Sequence, residues 1–239
     1  MPYRKNQFSN DGIYHVILRG IDDNLIFKDI DDYYRMIFSI YELNNVAPTT
    51  IQRKREERKR LKKENGGPAS TPDGRDKFVE ILSFCFMPNH VHLLLRQLKD
   101  NGITKFMGKV GTGYAGYFNR KYQRKGYVFQ NRFKDIYIED DRQLITVFNY
   151  IHANPISLIE PSFKENGIKN PSGAVEFLKE YKWSSYQDYI GQGNFDSVTQ
   201  RDFLLELLGG EKKCEEVVVD WVRYKKVRAR PGLARFDFF

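Results

Sequence analysis

The chain has 239 residues, of which 41% are hydrophobic and 15% aromatic, and it carries a formal net charge of +8. The apolar content is sufficient for a packed core, which excludes a wholly disordered protein, and the positive charge favours a polyanionic partner, most commonly nucleic acid. Two cysteines are too few for a disulfide framework, and the sequence favours neither secretion nor a membrane span, because it has no run of about 18 apolar residues. We therefore expect a cytoplasmic protein.

The first half of the chain predicts a strand, a helix and a hairpin. Residues 13–19 form a mostly apolar run that is typical of a buried strand. From Asp29 onward, apolar residues recur at helical spacing, and Asp29 or Asp31 is placed to cap that helix. Residues 78–87 and 90–98 are apolar segments joined by a Pro-Asn pair, which indicates a β-hairpin.

Residues 46–76 are predicted to be a surface insertion. A run of charged residues is followed there by a stretch rich in Gly, Pro and Ser, so only the basic part is expected to be helical. The charge run has two interpretations, a solvated and mobile face or an arm that touches DNA.

The second half of the chain predicts helices around one further strand. Residues 101–122 are expected to be helical in spite of five glycines, each of which costs about 1 kcal/mol in a helix interior. That many glycines favour the close approach of another backbone, from protein or nucleic acid. Residues 127–138 alternate as a strand does, and a helix then begins at Asp140 or Asp141 and ends before Pro155.

The order of these elements predicts an α+β fold. Strand, helix, hairpin, helix, strand and helix fit an antiparallel sheet with helices packed on one face, as in ferredoxin-like and RNA-recognition-like folds. We assign residues 1–160 to this domain and residues 161–239 to a mostly helical C-terminal extension. Helices are predicted there at 199–208 and from about 213 to 226, before a basic, aromatic tail.

Two histidines on the second strand of the hairpin form half of a candidate metal site. Side chains alternate between the faces of a strand, so His90 and His92 lie on one face and Val91 on the other. Two imidazoles side by side can bind a divalent cation, and two satisfied strand histidines are the alternative interpretation. Of the remaining histidines, His15 is predicted to be a core residue, and His152 is predicted to lie on the side of its helix away from Tyr150.

The helix that ends before Pro155 supplies the other half of the site. Tyr150 and Asn154 are four residues apart, so they lie on one helix face at the margin of its apolar stripe. Two histidines and an amide oxygen would give a cation three ligands and leave positions open for phosphate oxygens. Tyrosine is a nucleophile only when activated, because roughly 0.1% of it is phenolate at neutral pH.

Six segments together resemble one family. The histidine pair in its context is similar to the two-histidine HUH motif of single-tyrosine, IS200-like transposases, and more narrowly to that of REP-associated tyrosine transposases. In chain order the segments are Ile13-Tyr14-His15-Val16 running to Arg19-Gly20, Met87-Pro88-Asn89-His90-Val91-His92-Leu93-Leu94, Tyr117-Phe118-Asn119-Arg120-Lys121-Tyr122, Gly126-Tyr127-Val128-Phe129-Gln130-Asn131-Arg132-Phe133, Tyr150-Ile151-His152-Ala153-Asn154-Pro155 and Trp183-Ser184-Ser185-Tyr186. They span most of the chain, and the insertion at 46–76 departs from the family pattern.

The resemblance implies a metal-dependent endonuclease and strand transferase that acts on single-stranded DNA, typically beside a hairpin. It implies that His90, His92 and Asn154 bind Mg²⁺ or Mn²⁺. It also implies that Tyr150 attacks a DNA phosphodiester, which gives a 5′-phosphotyrosine link and a free 3′-OH. Imidazole is softer than the ligands that Mg²⁺ prefers, which favours Mn²⁺. Many such enzymes work as dimers, so a homodimer is one assembly that the resemblance implies, and the expected location is the cytoplasmic nucleoid.

Basic and aromatic residues in or near these segments are the candidates for DNA contacts. The predicted phosphate ligands are Arg19, Arg96, Lys109, Arg120, Lys121, Arg132 and Lys134. The tyrosines that could stack on bases, with core packing as the alternative, are Tyr114, Tyr117, Tyr122 and Tyr127.

Two other functions fit parts of the pattern. A histidine-triad-like phosphohydrolase also uses a His-x-His strand, but Leu94 occupies the place of its further histidine. A catalytically silent hairpin-DNA-binding protein would keep the fold and lose cleavage. The joint presence of Tyr150, both strand histidines and Asn154 argues against it.

Overall fold

The computed structural model describes residues 8–65, 73–130 and 132–224. The glycine-rich end of the predicted insertion and the basic, aromatic tail fall largely outside these ranges. Within them, no helix combines the length and the apolar character that crossing a membrane requires.

The described strands form one antiparallel sheet in the order β2-β3-β1-β4. Their bounds are β1 Ile13–Arg19, β2 Val79–Met87, β3 His90–Gln97 and β4 Lys134–Tyr137. The β1–β3 register places Arg19 opposite His90 and Ile17 opposite His92. The predicted hairpin is confirmed, and its histidine strand lies in the middle of the sheet.

The predicted strand at 127–138 is wrong in its first half. In β4, only residues 134–137 pair with β1. Residues 127–130 and 132–133 do not form a ladder, because β1 ends at Arg19 and this part of the chain runs beyond its end. Gly20 forms a single bridge with Phe129, and the Gln130 amide donates to the Arg19 carbonyl at 2.9 Å. This segment is therefore a loop that crosses the end of the sheet.

The described helices follow the predicted order. Their bounds are α1 Ile30–Glu42, α2 Ile51–Asn65, α3 Gly102–Lys121, α4 Asp141–Ala153, α5 Phe163–Asn166, α6 Pro171–Glu180, α7 Tyr186–Tyr189, α8 Asp202–Leu208 and α9 Glu211–Tyr224, with 3₁₀ segments at Ile21–Asp23 and Asn154–Leu158. Asp29 caps α1 by accepting from the Asp32 amide, and Asp140 caps α4 by accepting from the Gln143 amide. The basic part of the predicted insertion is helical, as α2.

Helices cover both faces of the sheet, whereas the sequence predicted packing on one. On the first face, α1 and α3 bury the side chains of strand residues such as Val16 and Leu93. On the second face, α4, α6 and α9 form another core with Leu82 and Leu94. The α+β class, the antiparallel sheet and the helical C-terminal region are confirmed. The additional layer arises because the C-terminal helices bury apolar stripes, including Val218, that need a partner surface.

The glycines of α3 have different surroundings. A Cβ on Gly102 would lie 2.4 Å from the Phe78 carbonyl oxygen, so here another backbone does approach closely, as predicted. A Cβ on Gly108 or Gly111 would meet no atom within 4 Å. These two glycines face open space.

Candidate active site

A small pocket of about 60 Å³ lies on the second face of the sheet, at the start of β3. Tyr150 and Asn154 line it from α4 and its 3₁₀ continuation, and His90 and His92 line it from β3. The alternation along β3 accounts for this placement, since Val91 and Leu93 enter the first-face core. The four predicted catalytic and metal-binding residues thus come together around one space.

Hydrogen bonds hold both imidazoles by their Nδ1 atoms. His90 Nδ1 lies 2.6 Å from the Asn89 side-chain oxygen, which can only accept, so His90 donates there and keeps a lone pair on Nε2. His92 Nδ1 lies 2.9 Å from Nε2 of the buried His15. His92 Nε2 is buried and has no hydrogen-bond partner among the described residues. Partners of this kind orient an imidazole whose other nitrogen binds a metal.

Burial keeps both strand imidazoles neutral. It lowers the pKa of His90 to about 3, with the positive charge of Arg19 as the next cause. Burial, followed by the neighbouring His90, lowers the pKa of His92 well below its ordinary value. Neutral imidazole is the form that binds a cation, so neither ring has to lose a proton first.

The donor set fits a divalent cation only with the help of an amide. The described residues contain no cluster of three or more His, Cys, Asp or Glu side chains that could hold a metal ion. Asn154 is buried, and its amide nitrogen donates to the Tyr150 carbonyl at 2.8 Å, which leaves its side-chain oxygen as the atom available for a ligand. The unpartnered His92 Nε2, the second imidazole and this oxygen are suitable for Mn²⁺ or Mg²⁺.

The Tyr150 side chain lies against the histidines. Its ring centroid is 5.6 Å from that of His92 and 5.9 Å from that of His15. Burial raises the pKa of Tyr150, while a hydrogen bond from Asn154 and the charge of Arg19 act to lower it. The phenol therefore needs further positive charge nearby to become a phenolate at neutral pH.

Lys164 is a site residue that the sequence did not predict. It lies in the short helix α5, ten residues beyond Asn154, and its Nζ donates to the Tyr150 hydroxyl at 3.4 Å. Burial, with the charge of Arg19 as the next cause, lowers the pKa of Lys164. No motif or regular spacing links this lysine to Tyr150. Ser157 and Gln130 also line the pocket without having been predicted.

The predicted phosphate ligands fall into two groups. Arg19, Arg132 and Lys134 line the pocket. The other group lies elsewhere: Arg96 pairs with Glu80 at 2.9 Å, Lys109 donates to the Asn45 carbonyl at 2.6 Å, Lys121 pairs with Asp29 and Asp32 at 2.6 and 2.8 Å, and Arg120 is exposed on α3. DNA binding by these residues stays a prediction.

The four candidate stacking tyrosines also differ. Tyr114 is fully buried and donates to the Ile26 carbonyl, so core packing is the correct interpretation there. Tyr117 and Tyr122 both donate to the carboxylate of Asp32. Tyr127 is 79% exposed, so its ring face is open to a ligand.

A larger groove of about 650 Å³ begins beside the pocket. It runs between α3 and the loop that crosses the end of the sheet, with Gly108 and Gly111 on one wall and Tyr127 on the other. Gln130 and Arg132 line both the groove and the pocket. The groove and the pocket therefore meet at these two residues.

Comparison with known proteins points to one family. Residues 73–154, which include all four predicted catalytic and metal-binding residues, match the family model described as transposase IS200 like. A putative REP-associated tyrosine transposase of Haemophilus influenzae is 27% identical over 118 residues, which are 45% of this chain and 58% of that protein. This chain thus spans less than two thirds of that relative. The resemblance predicted from the six segments is confirmed.

A solved structure of a REP-associated tyrosine transposase bound to a REP hairpin is also similar. Its TM-score is 0.44 at 13% identity, and the similarity covers 84% of this chain and 92% of the other.

Proposed function

Starting from this match to IS200-like transposases, we propose that the chain is a metal-dependent single-stranded DNA endonuclease and strand transferase that cleaves at or near hairpin DNA. The observation that carries the proposal is the pocket in which the Tyr150 side chain, the unpartnered Nε2 of His92 and the Asn154 amide meet. A nucleophile and metal-ligand atoms around one small space are what phosphodiester cleavage requires.

His90, His92 and Asn154 would hold the Mg²⁺ or Mn²⁺ ion. When bound, such a cation polarises a phosphate oxygen and favours the phenolate form of a neighbouring tyrosine. Arg19, Arg132 and Lys134 bring positive charge to the same pocket and bind the phosphate that enters it.

Tyr150 is the nucleophile in this proposal. Its phenolic oxygen forms a bond to phosphorus while the bond from phosphorus to the 3′ oxygen breaks, which gives a 5′-phosphotyrosine and a free 3′-OH. Because one phosphoester bond is exchanged for another, the 5′-phosphotyrosine bond retains the free energy that a later transfer of the DNA strand to a 3′-OH requires. The Lys164 ammonium, 3.4 Å from the hydroxyl, holds the phenol in place and stabilises its negative form.

The groove supports a single-stranded substrate. Unpaired bases can stack on an aromatic ring such as Tyr127, whereas paired bases in a duplex keep their faces covered. The hairpin partner is proposed from the resemblance to REP-associated tyrosine transposases, the family named for the curated relative. A homodimer remains part of the proposal from the family resemblance alone.

The test is formation of a covalent adduct. The full chain is incubated with hairpin-flanked single-stranded oligonucleotides and Mn²⁺, and a denaturing gel resolves protein–DNA adducts. Tyr150→Phe removes one hydroxyl and should abolish the adduct, while the fold and DNA binding are kept. Tyr224→Phe, an exposed tyrosine at the end of α9, is the matched control and should react as the wild type does. Adducts that persist in Tyr150→Phe would place the nucleophile elsewhere.

A further inference from the structure

A buried histidine contacts two of the side chains that line the pocket. His15 is on β1 and is fully buried. Its ring stacks on that of His92, with the centroids 5.1 Å apart and the planes 19° from parallel, and its Nε2 lies 2.9 Å from His92 Nδ1. The Tyr150 ring meets His15 edge-on, with the centroids 5.9 Å apart. One ring thus contacts both a predicted metal ligand and the proposed nucleophile.

The register of the sheet accounts for the position of His15. Ile17 is the direct partner of His92 across β1 and β3, and His15 precedes Ile17 by two residues, so its side chain points to the same face. Diagonal neighbours on adjacent strands are within reach of one another when they carry rings. Since β1 and β3 are the two central strands, the backbone of the sheet fixes where the His15 ring lies.

The hydrogen bond between the two rings holds a single proton. Burial lowers the pKa of His15 to about 3, so this ring is neutral, as the His92 ring is. A neutral imidazole carries a proton on one nitrogen and a lone pair on the other. When His92 donates from Nδ1, its Nε2 therefore keeps a lone pair. When His15 donates from Nε2 instead, the proton of His92 must lie on its Nε2.

Only the first of these arrangements leaves His92 able to bind a cation, because a nitrogen that carries a proton has no lone pair to offer. A proton on His92 Nε2 would also be a buried donor without an acceptor among the described residues. We propose that His15 is a positioning residue that accepts the Nδ1 proton of His92, and thereby keeps His92 Nε2 ready for a divalent cation. Its edge-on contact also fixes the Tyr150 ring beside that nitrogen. This inference rests on the proposed function, because that function supplies the cation.

Nitrogen NMR of the metal-free full chain tests the position of the proton. A ring nitrogen with a proton and one with a lone pair differ widely in chemical shift. The chain has four histidines, so the signals of His92 can be identified by their loss in His92→Gln. We expect the proton of His92 on Nδ1 and the lone pair on Nε2. A proton on Nε2 would overturn the proposal, whether or not the protein binds a metal.

Two substitutions separate the hydrogen-bond acceptor from the ring. His15→Phe keeps an aromatic ring against His92 and Tyr150 but has no acceptor, whereas His15→Gln places an amide oxygen close to the position of Nε2. We expect the Mn²⁺ affinity in calorimetry to fall about tenfold to a hundredfold in His15→Phe, the usual effect of losing such a partner. His15→Gln should recover most of the affinity. Wild-type affinity in His15→Phe, or an equal loss in both variants, would refute the accepting role.

Thermal unfolding shows whether each variant folds. Should His15→Phe fail to fold, the NMR result for the wild type and the affinity of His15→Gln decide the question. Failure of the proposed function gives a different result: a wild-type chain that binds no Mn²⁺ contradicts the metal site, while the tautomer of His92 still decides the role of His15. Adduct formation together with wild-type Mn²⁺ affinity in His15→Phe supports the proposed function and refutes this inference.

Discussion

Alanine substitutions at two glycines of α3 are expected to raise the stability of the protein and to weaken its binding to DNA. A Cβ at Gly108 or Gly111 would meet no atom within 4 Å, so alanine fits at both positions without strain. Each replacement should stabilise the helix by about 1 kcal/mol, since glycine has the greater freedom in the unfolded chain. The double variant Gly108→Ala/Gly111→Ala should therefore unfold roughly 4–8 °C higher than wild type, at about 2–4 °C per kcal/mol for a chain of this size.

The same substitutions place two methyl groups in the 650 Å³ groove, on the wall opposite Tyr127. Binding of single-stranded DNA, measured by fluorescence anisotropy in a Tyr150→Phe background, should weaken. Gly102→Ala is the contrasting control, because its Cβ would lie 2.4 Å from a backbone oxygen and should lower the unfolding temperature. A double variant that is more stable and binds DNA with wild-type affinity would refute the role of the groove.

Three further predictions concern the metal, the phosphates and the core. His92→Ala should remove Mn²⁺ binding, measured by calorimetry, together with cleavage. Asn154→Ala should reduce cleavage by a smaller factor, because a water molecule can replace its amide oxygen. Undiminished Mn²⁺ affinity in His92→Ala would exclude this ligand set. Lys134→Gln should make the slope of log affinity for single-stranded DNA against log salt concentration shallower by about 0.7. Lys121→Gln should leave that slope unchanged, because the Lys121 ammonium already pairs with Asp29 and Asp32 at 2.6 and 2.8 Å. Asp32→Asn should lower the free energy of unfolding in urea at pH 7. The difference from wild type should shrink as the pH falls below about 4, because the carboxyl group of the unfolded chain is protonated there before that of the folded protein.

The sign of this pH dependence follows from the surroundings of Asp32. Burial would raise its pKa, but hydrogen bonds from Lys121, the Lys28 amide and Tyr122 outweigh it and hold the pKa below the ordinary value. A carboxyl group whose pKa is lowered by folding contributes stability above its unfolded pKa and loses it as the pH falls through the folded one. A difference between wild type and variant that is constant from pH 7 to pH 3 would contradict this account.

Local patterns were sufficient to predict much of the candidate site. Alternation along one strand placed His90 and His92 on the same face, and a four-residue spacing placed Tyr150 above Asn154. These relations depend only on the geometry of a strand and a helix. Short-range cap signals likewise predicted that Asp29 or Asp31 caps α1, and the structure shows that the cap is Asp29.

Contacts between distant segments could not be predicted in this way. Lys121 lies 92 residues from Asp29, and only the packing of α3 on α1 brings the two together. The hydrogen bond between His15 and His92 joins residues 77 apart, through the register of β1 and β3. Lys164 reaches the pocket because the chain turns back toward it between the 3₁₀ segment and α5. The spacing of residues in the sequence does not predict such a turn.

The second-face core makes the position of Tyr150, the proposed nucleophile, depend on a region that contains no part of the pocket. Phe148 and Ile151, on the turns of α4 that carry Tyr150, share a core with Leu178 and Val218 from α6 and α9. A substitution at Val218 could thus change the rate of cleavage without touching DNA, by altering where α4 lies relative to β3. Across relatives, the buried faces of the C-terminal helices and those of α4 are accordingly expected to change together, while the exposed faces vary freely.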